Sequence, residues 1–406
     1  AIISGGGRSG ALDQALGFTA STADRRCLED ADLVICNNTA MESDHLVLAV
    51  DVIKTVRDEG AKFIVANSSL DPADVHLADM AVDPMRGRGS IFWGAVVQVL
   101  LEEGVVSAAD LPGNDEFLAN GGLSLDLAAA KSGVDEKTIR EAAALISQAK
   151  RVVVIHGPDR PQDAAPGDVE IFSNLATLLR GAGRQAELLL PRLMANSAGL
   201  EIMGADPAFL PGKELVGQDL PGAANSQELR ELLEGGSIRA AIIVGENPLD
   251  FDRTGSWFHN VGFLAAVDWT QTETTRFADV TLPGTTFLET AGTRCNFEGR
   301  VQKYSAAVAA PSGYSGVEIL AAVGRAFSLE VGTDIETEID QLVTAKLGDL
   351  TPFYWNTGQA RNWDGQSKLI AVESDAKASS IQPPMTHSQK YRKDIREVGT
   401  ERFRVQ

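Results

Sequence analysis

Short apolar runs separated by amphipathic stretches recur along most of this chain, and that alternation narrows the fold more than any other feature. ADLVIC (31–36), AKFIVA (61–66), RVVVIHG (151–157), AELLL (186–190), AAIIVG (240–245) and FLAAVD (263–268) have the length and composition of buried strands. Between them, HLVLAVDVIKTVRDEG (45–60), EKTIREAAALISQA (136–149) and SQELRELLEGG (226–236) carry apolar residues at helical spacing. Strands that are apolar on both faces need cover on both. The pattern therefore predicts an α/β fold with mainly parallel sheets.

The alternation also repeats on a larger scale. FIVANSSLDPADVHLADMAVD begins at Phe63 and FLAAVDWTQTETTRFADVTLP begins at Phe263, 200 residues on. On that offset Phe63 pairs with Phe263, Ala66 with Ala266, and Leu77-Ala78-Asp79 with Phe277-Ala278-Asp279. Each copy follows a strand that ends in a polar turn, LVICNNTAMESDH in one case and IIVGENPLDFD in the other. Two similar Rossmann-like domains are expected, the first over 1–192 and the second over 193–335, followed by a C-terminal extension over 336–406. The end of that extension, from Ser379, is polar and finishes with Lys390, Arg392, Lys393, Arg396, Arg402 and Arg404, a composition suited to docking on a partner.

Charge and cysteine usage remove several classes of function. A net charge of −20 argues against nucleic acid or an anionic membrane as partner. The longest apolar run, IFWGAVVQVLL (91–101), is far short of the roughly 20 residues a spanning helix needs, so no direct membrane insertion is expected. No basic-then-apolar leader is present, and the sequence starts without Met, as expected of a processed chain or an excerpt. Cys27, Cys36 and Cys295 are scattered, with no C-x-x-C. That predicts a reducing, cytoplasmic setting and no iron–sulfur cluster or structural zinc site in this chain. The histidines (45, 76, 156, 259, 387) lack ligand spacing and are expected at the surface or satisfied in the core.

The opening AIISGGGRSG places Gly5, Gly7 and Gly10 as G-x-G-x-x-G behind a short apolar run. On its face this is a dinucleotide-binding turn. The following strand, LVIC, should then end in an acid for the ribose, but it ends in Asn37-Asn38.

ADVTLPGTTFLETAGTRCNFEGRVQ (278–302) resembles a signature of the molybdopterin oxidoreductase superfamily, which includes formate dehydrogenases and the large iron–sulfur subunit of complex I. The matching positions are Ala278, Asp279, Leu282, Pro283, Glu289, Gly292, Thr293, Asn296, Glu298, Gly299, Arg300 and Gln302. IIVGENPL (242–249) and RLMANSAGLEIMGADPAFLPG (192–212) fall in the same order. The resemblance spans about residues 4 to 330, the central α/β domains of the family, without its N-terminal cluster-binding region or its C-terminal barrel.

The resemblance implies a two-copy site that has diverged. Ser4-Gly5 stands where metal-dependent members carry a ligating Cys or selenocysteine followed by His, and Arg192 where formate-processing members carry a substrate Arg. Ser4 and Arg192 are thus remnants of a catalytic site, and no metal ligand set is expected. In the first copy the family's G-x-N-P turn has become Asn38-Thr39-Ala40-Met41, and its D-P-R has become Ser68-Ser69-Leu70. The second copy keeps Gly245-Glu246-Asn247-Pro248, then Asp268, Thr272 and Thr274. Gly245, Asn247, Asp268, Thr272 and Thr274 are therefore the cofactor-binding candidates, with molybdopterin guanine dinucleotide the cofactor implied. Asn296, Glu298 and Arg300 read equally well as a network holding a loop. The implied role is a scaffold subunit in a larger NADH-linked electron-transfer complex, with iron–sulfur clusters and flavin in partner subunits. The alternatives are the middle portion of an active molybdenum or tungsten oxidoreductase of formate dehydrogenase type, and a dinucleotide-binding protein that uses Gly5, Gly7 and Gly10.

Overall fold

The computed structural model describes residues 20–119, 122–157, 167–192, 195–202, 209–210, 214–215, 226–251, 254–312, 314–329 and 369. Ser4, Gly5, Gly7, Gly10 and the tail from Ser379 lie outside them. The chain runs β1 (Leu33–Asn37), α1 (Met41–Asp44), α2 (Leu46–Arg57), β2 (Lys62–Ala66), α3 (Pro72–Leu77), β3 (Met80–Val82), α4 (Gly89–Glu102), α5 (Asn114–Ala119), α6 (Leu125–Ser132), α7 (Glu136–Gln148), β4 (Arg151–His156), α8 (Asp168–Gly181), β5 (Gln185–Leu189) and α9 (Ser197–Ile202). It continues through β6 (Phe209–Leu210), β7 (Glu214–Leu215), α10 (Ser226–Glu234), β8 (Ala240–Val244), α11 (Pro248–Phe251), β9 (Phe263–Asp268), α12 (Glu273–Phe277), β10 (Val280–Pro283), β11 (Gly292–Cys295), β12 (Val301–Tyr304) and α13 (Gly316–Ala326).

Five strands form a parallel sheet in the order β3-β2-β1-β4-β5. The order reverses between β1 and β4, and in sheets of this kind ligands bind beyond the carboxyl ends of the strands at that point. Helices cover both faces, so all five residues of β1 are buried. α7 shows why the local sequence folds as it does. Ile139, Ala142, Ala143 and Ile146 make one buried stripe, and Asp135 caps the first turn by accepting from the Thr138 N–H at 2.8 Å. Leu369 is buried in the core of this unit, where its N–H donates to the Pro112 carbonyl at 2.8 Å.

The second unit carries a three-stranded parallel sheet, β10-β9-β8. Strand for strand it matches β3-β2-β1, and the helix between its last two strands, α12, matches α3. The register differs from the sequence alignment. The Phe63 N–H donates to Asp79 Oδ2 at 3.0 Å, whereas it is the Leu264 N–H that donates to Asp279 Oδ2, at 2.8 Å. Phe63 therefore corresponds to Leu264 and not to Phe263, because the second copy is one residue shorter between strand and aspartate. A one-residue slip exchanges the two faces of a strand. Phe63 and Leu264 are both buried, while Phe263 is 44% exposed.

No described helix is long and apolar enough to cross a membrane.

Candidate functional site

The candidates Gly245, Asn247, Asp268, Thr272 and Thr274 converge at the carboxyl ends of β8 and β9. Gly245 leaves β8 with φ +63°, a left-handed conformation that favours glycine, and a Cβ built there would meet nothing within 4 Å. Its N–H donates to the Val267 carbonyl at 2.9 Å. Pro248 then opens α11, where its missing N–H costs nothing. Asn247 is the hub. Its Oδ1 accepts from the Thr274 N–H (3.1 Å) and hydroxyl (2.8 Å), and its Nδ2 donates to Glu273 Oε2 at 2.8 Å. The Thr274 hydroxyl, fully buried, in turn accepts from the Leu249 N–H at 3.3 Å. Thr272 caps α12 in a reciprocal box with Thr275. Both threonines thus hold the turn together from within.

Asp268 is placed differently. Its Oδ1 accepts from the Trp269 N–H (2.7 Å) and the Thr270 N–H (3.3 Å), while Oδ2 takes no hydrogen bond from a described residue. Trp269 beside it is 64% exposed. Gly284 donates to the Asp268 carbonyl at 2.8 Å, and a Cβ on Gly284 would come within 2.9 Å of the Asp268 carbonyl carbon. The β10 loop can close on Asp268 only through a glycine. This end of the sheet thus presents an open glycine turn, one carboxylate oxygen without a described partner and an exposed indole.

The equivalent place in the first unit is filled. Asn38 takes the position of Gly245, donating its N–H to the Ala66 carbonyl at 3.3 Å with φ +54°. Its side chain crosses to the Gly157 carbonyl at 3.2 Å. Asn67, the counterpart of Asp268, turns inward and pairs with both backbone groups of Thr39 (3.3 and 3.0 Å). A Cβ on Gly157 would stand 2.7 Å from the Asn38 carbonyl oxygen and closer still to the Thr39 hydroxyl. Beneath them the Trp93 indole N–H donates to Asn37 Oδ1 at 2.8 Å, which directs Asn37 Nδ2 at His156 Nδ1, 3.0 Å away. Indole nitrogen is only a donor, so the amide orientation is fixed and His156 accepts at Nδ1 in its Nε2–H tautomer. The ring packs against Phe172 at 5.2 Å between centroids, the two planes tilted by 43°. The switch point of the first sheet is packed with the chain's own side chains.

Asp74 occupies the position that Thr274 holds in the second copy, one turn before the matching Ala-Asp. It is buried, and its Oδ2 has no hydrogen-bond partner among the described residues. Burial, then the nearby Asp71, raises its pKa to about 6 against the pull of the Met41 N–H, and Glu42 adds to the rise.

The N-x-E-G-R positions form a latch. Asn296 Oδ1 accepts from the Glu298 and Arg300 N–H groups (3.1 and 2.9 Å), and its Nδ2 donates to Glu298 Oε2 at 3.0 Å. Glu298, also buried, accepts from the Arg25 N–H at 2.9 Å, while Ser21 donates its N–H and hydroxyl to the Phe297 carbonyl. Residues 20–22 lie along β5, with Thr22 N–H to the Leu188 carbonyl at 2.9 Å and Leu190 N–H to the Ser21 hydroxyl at 2.9 Å. The hairpin loop of the second unit is thereby fastened to the edge of the first sheet. Asn196 Oδ1 accepts from the Cys295 N–H at 2.8 Å, which joins α9 to the same hairpin. Arg192 is buried three residues past β5, on the other sheet from the Gly245 cluster.

Two features had little or no sequence signal. Trp93, Asn37 and His156 are far apart in the chain and meet only through β1, β4 and α4. Arg180 and Glu187 form a part-buried pair at 2.7 Å, with Thr22 Oγ1 also donating to Glu187 at 2.5 Å. Burial lowers the Arg180 pKa and raises that of Glu187 despite their mutual attraction. A charged residue inside the otherwise apolar AELLL was the available clue. Burial, followed by the acids nearest each, also pushes the thiols of Cys27 and Cys36 well above their usual range, so neither is a ready nucleophile.

A family model described as molybdopterin oxidoreductase matches residues 11–315. The chain is 27% identical over 326 residues to the NADPH-Fe(3+) oxidoreductase subunit alpha of Geobacter sulfurreducens, covering 74% of this chain and 38% of that protein. It is 25% identical over 334 residues to the F420-dependent formate dehydrogenase 2 subunit alpha of Methanococcus maripaludis, covering 74% and 48%. Against formate dehydrogenase H of Escherichia coli the identity is 27%, covering 73% and 45%. The chain thus spans less than half the length of each of these relatives. Acetylene hydratase from Pelobacter acetylenicus shares the fold, with a TM-score of 0.53 at 16% identity over 85% of this chain and 50% of that one.

Proposed function

Because the chain belongs to the molybdopterin oxidoreductase family, we propose that it works as a subunit of a larger NADH-linked electron-transfer complex, holding at most one nucleotide arm of a pterin cofactor and serving chiefly as scaffold. The observation that carries this reading is the contrast between the two crevices. A pterin guanine dinucleotide does not fit the first copy, where Asn38, Thr39 and Gly157 are packed against one another. The residues of the second copy do fit a nucleoside. Asp268 Oδ2 is an unused acceptor for base N–H or ribose O–H donors, the Gly245 turn leaves room for close approach, and Trp269 offers an exposed ring for stacking. A pterin bound there would supply metal-centred redox chemistry. This chain's part is to bind and orient its nucleotide, with Asn247 and Thr274 keeping the turn rigid. Two relatives bear names that mark them as alpha subunits, which supports membership in an assembly.

The test is isolation of the native assembly, with subunit identification and nucleotide analysis after denaturation. We expect co-purifying iron–sulfur or flavin subunits, and a guanine nucleotide that is lost in an Asp268→Ala variant whose subunit composition is unchanged. A monodisperse, redox-active monomer would overturn the scaffold reading. So would stoichiometric molybdenum or tungsten with turnover that depends on Arg192, which would favour the active-oxidoreductase alternative.

A further inference from the structure

α4 is apolar around almost its whole circumference. Phe92, Trp93, Val96 and Leu100 are fully buried in the core beneath the first sheet. Part of the remaining surface faces a cavity of about 300 Å³, partly open to solvent and bounded elsewhere by α5, Gly122 and Leu123, α6 and α8. The space exists because small residues stand where large ones would fill it. Gly94 and Ala95 on α4 and Ala128 on α6 line the void, and a Cβ on Gly94 would meet only Ile171 Cδ1, at 3.4 Å. Around these, the walls are mostly aliphatic and aromatic. At the edge of the cavity Gln98 Nε2 donates to Glu102 Oε1 at 2.8 Å, leaving an exposed carboxylate beside it, and the buried amide of Asn174 is a polar group within the wall.

We propose that this cavity is a binding site for an uncharged, largely apolar molecule of bicyclic size that carries one polar group. An apolar cavity of about 150 Å³ accepts a single benzene ring, so 300 Å³ suits two fused rings. That is also the lower bound for pockets that bury small ligands among apolar side chains with a few polar ones. Charge selects further. Glu102, on a chain of net charge −20, disfavours an anionic head group, and the apolar wall disfavours any fully charged one. This site is independent of the Gly245 crevice, since no residue is shared between them.

The full chain should be titrated calorimetrically with 1-naphthol and with 1-naphthoate. Saturable one-to-one binding of 1-naphthol is expected, at least about tenfold tighter than that of 1-naphthoate, a difference that Glu102→Gln narrows. Gly94→Leu, which grows a side chain into the void from a helix interior, should weaken 1-naphthol binding about tenfold or more without lowering the melting temperature. Leu118→Trp, at a half-exposed lining position, provides a second block should the first variant fail to fold. Absence of saturable binding by 1-naphthol overturns the proposal, as does undiminished binding in a folded variant of either kind.

Discussion

Replacing Asp74 by Asn should stabilise the protein at pH 8 and have little differential effect near pH 4. Asp74 is 3% exposed, its Oδ2 has no partner among the described residues, and its pKa rises from 3.8 to about 6 on folding, through burial first and Asp71 second. An acid whose pKa is higher folded than unfolded binds protons more tightly in the native state. Stability conferred by that proton is full below about pH 4 and declines as pH rises through about 6, where the native carboxyl ionises. A shift of roughly two units at about 1.4 kcal/mol each sets an upper limit near 3 kcal/mol. Asn retains an oxygen to accept from the Met41 N–H but places an unpaired amide where Oδ2 now lies, at a cost of about 1–2 kcal/mol. That cost is independent of pH, and a protonated Asp carries a similar unpaired donor, so it cancels between conditions. Urea unfolding of wild type and variant at pH 4.5 and pH 8, with matched m-values, should show the variant gaining about 2 kcal/mol in relative stability over that interval. The many other carboxylates of this acidic chain are common to both proteins and drop out. A difference between variant and wild type that is the same at both pH values, within about 0.5 kcal/mol, refutes the assignment of Asp74 as the buried titrating group.

Arg180→Met should leave Glu187 part-buried with only the Thr22 hydroxyl, costing about 3–5 kcal/mol by urea unfolding at pH 8. Because burial holds the Glu187 pKa up, the deficit should shrink as pH falls toward 5, and Arg180→Met combined with Glu187→Leu should recover most of it. Thr274→Val should strip Asn247 of a donor and the Leu249 N–H of its acceptor, lowering stability by about 1–3 kcal/mol. Hydrogen exchange at Leu249 should accelerate, and unchanged protection there would remove Thr274 from its role in holding the turn.

Strand positions were legible because parallel strands buried on both faces must be apolar throughout. ADLVIC, RVVVIHG and FLAAVD lie over β1, β4 and β9 with ends displaced by two residues at most. Register within the repeat was not legible. Two phenylalanines 200 residues apart invite alignment, yet the face each occupies is set by which N–H reaches Asp79 or Asp279, a relation between separate segments. The second-copy candidates were legible as a group, since a glycine, an amide, a carboxylate and hydroxyls keep a recognisable spacing. Their division of labour was not. Spacing alone cannot show that Thr272 and Thr274 spend their hydroxyls on the turn itself while Asp268 keeps an oxygen open. The closed first crevice was half visible. Loss of the glycine at Asn38 was plain, but its consequence depends on Gly157 and His156 arriving from β4, well over 100 residues further along.

The two crevices also differ in what they do for the molecule that contains them. A binding crevice must keep polar groups unsatisfied and space unfilled, so it is drawn from the less stable parts of a fold. In the first unit the equivalent position is packed with side chains. Asn38, Asn67 and Thr39 bond one another's backbone or the backbone opposite, Asn37 bonds the Trp93 indole and the His156 ring, and hydrogen-bonded buried networks rigidify their surroundings. The rigid unit is also the one onto which the second is fastened, through Phe297 and Glu298 on residues 21–25 beside β5. The three-stranded sheet leaves Ile242, Val244 and Phe263 partly exposed, and among the described residues its buried cluster is smaller. Its open turn at Gly245 is therefore held from two directions, by the Asn247–Thr274 bonds within and by the latch to the first unit beyond. The open turn at Gly245 and the N-x-E-G-R latch therefore belong to the same unit, and the latch fastens that unit to the sheet whose own switch point is packed with side chains.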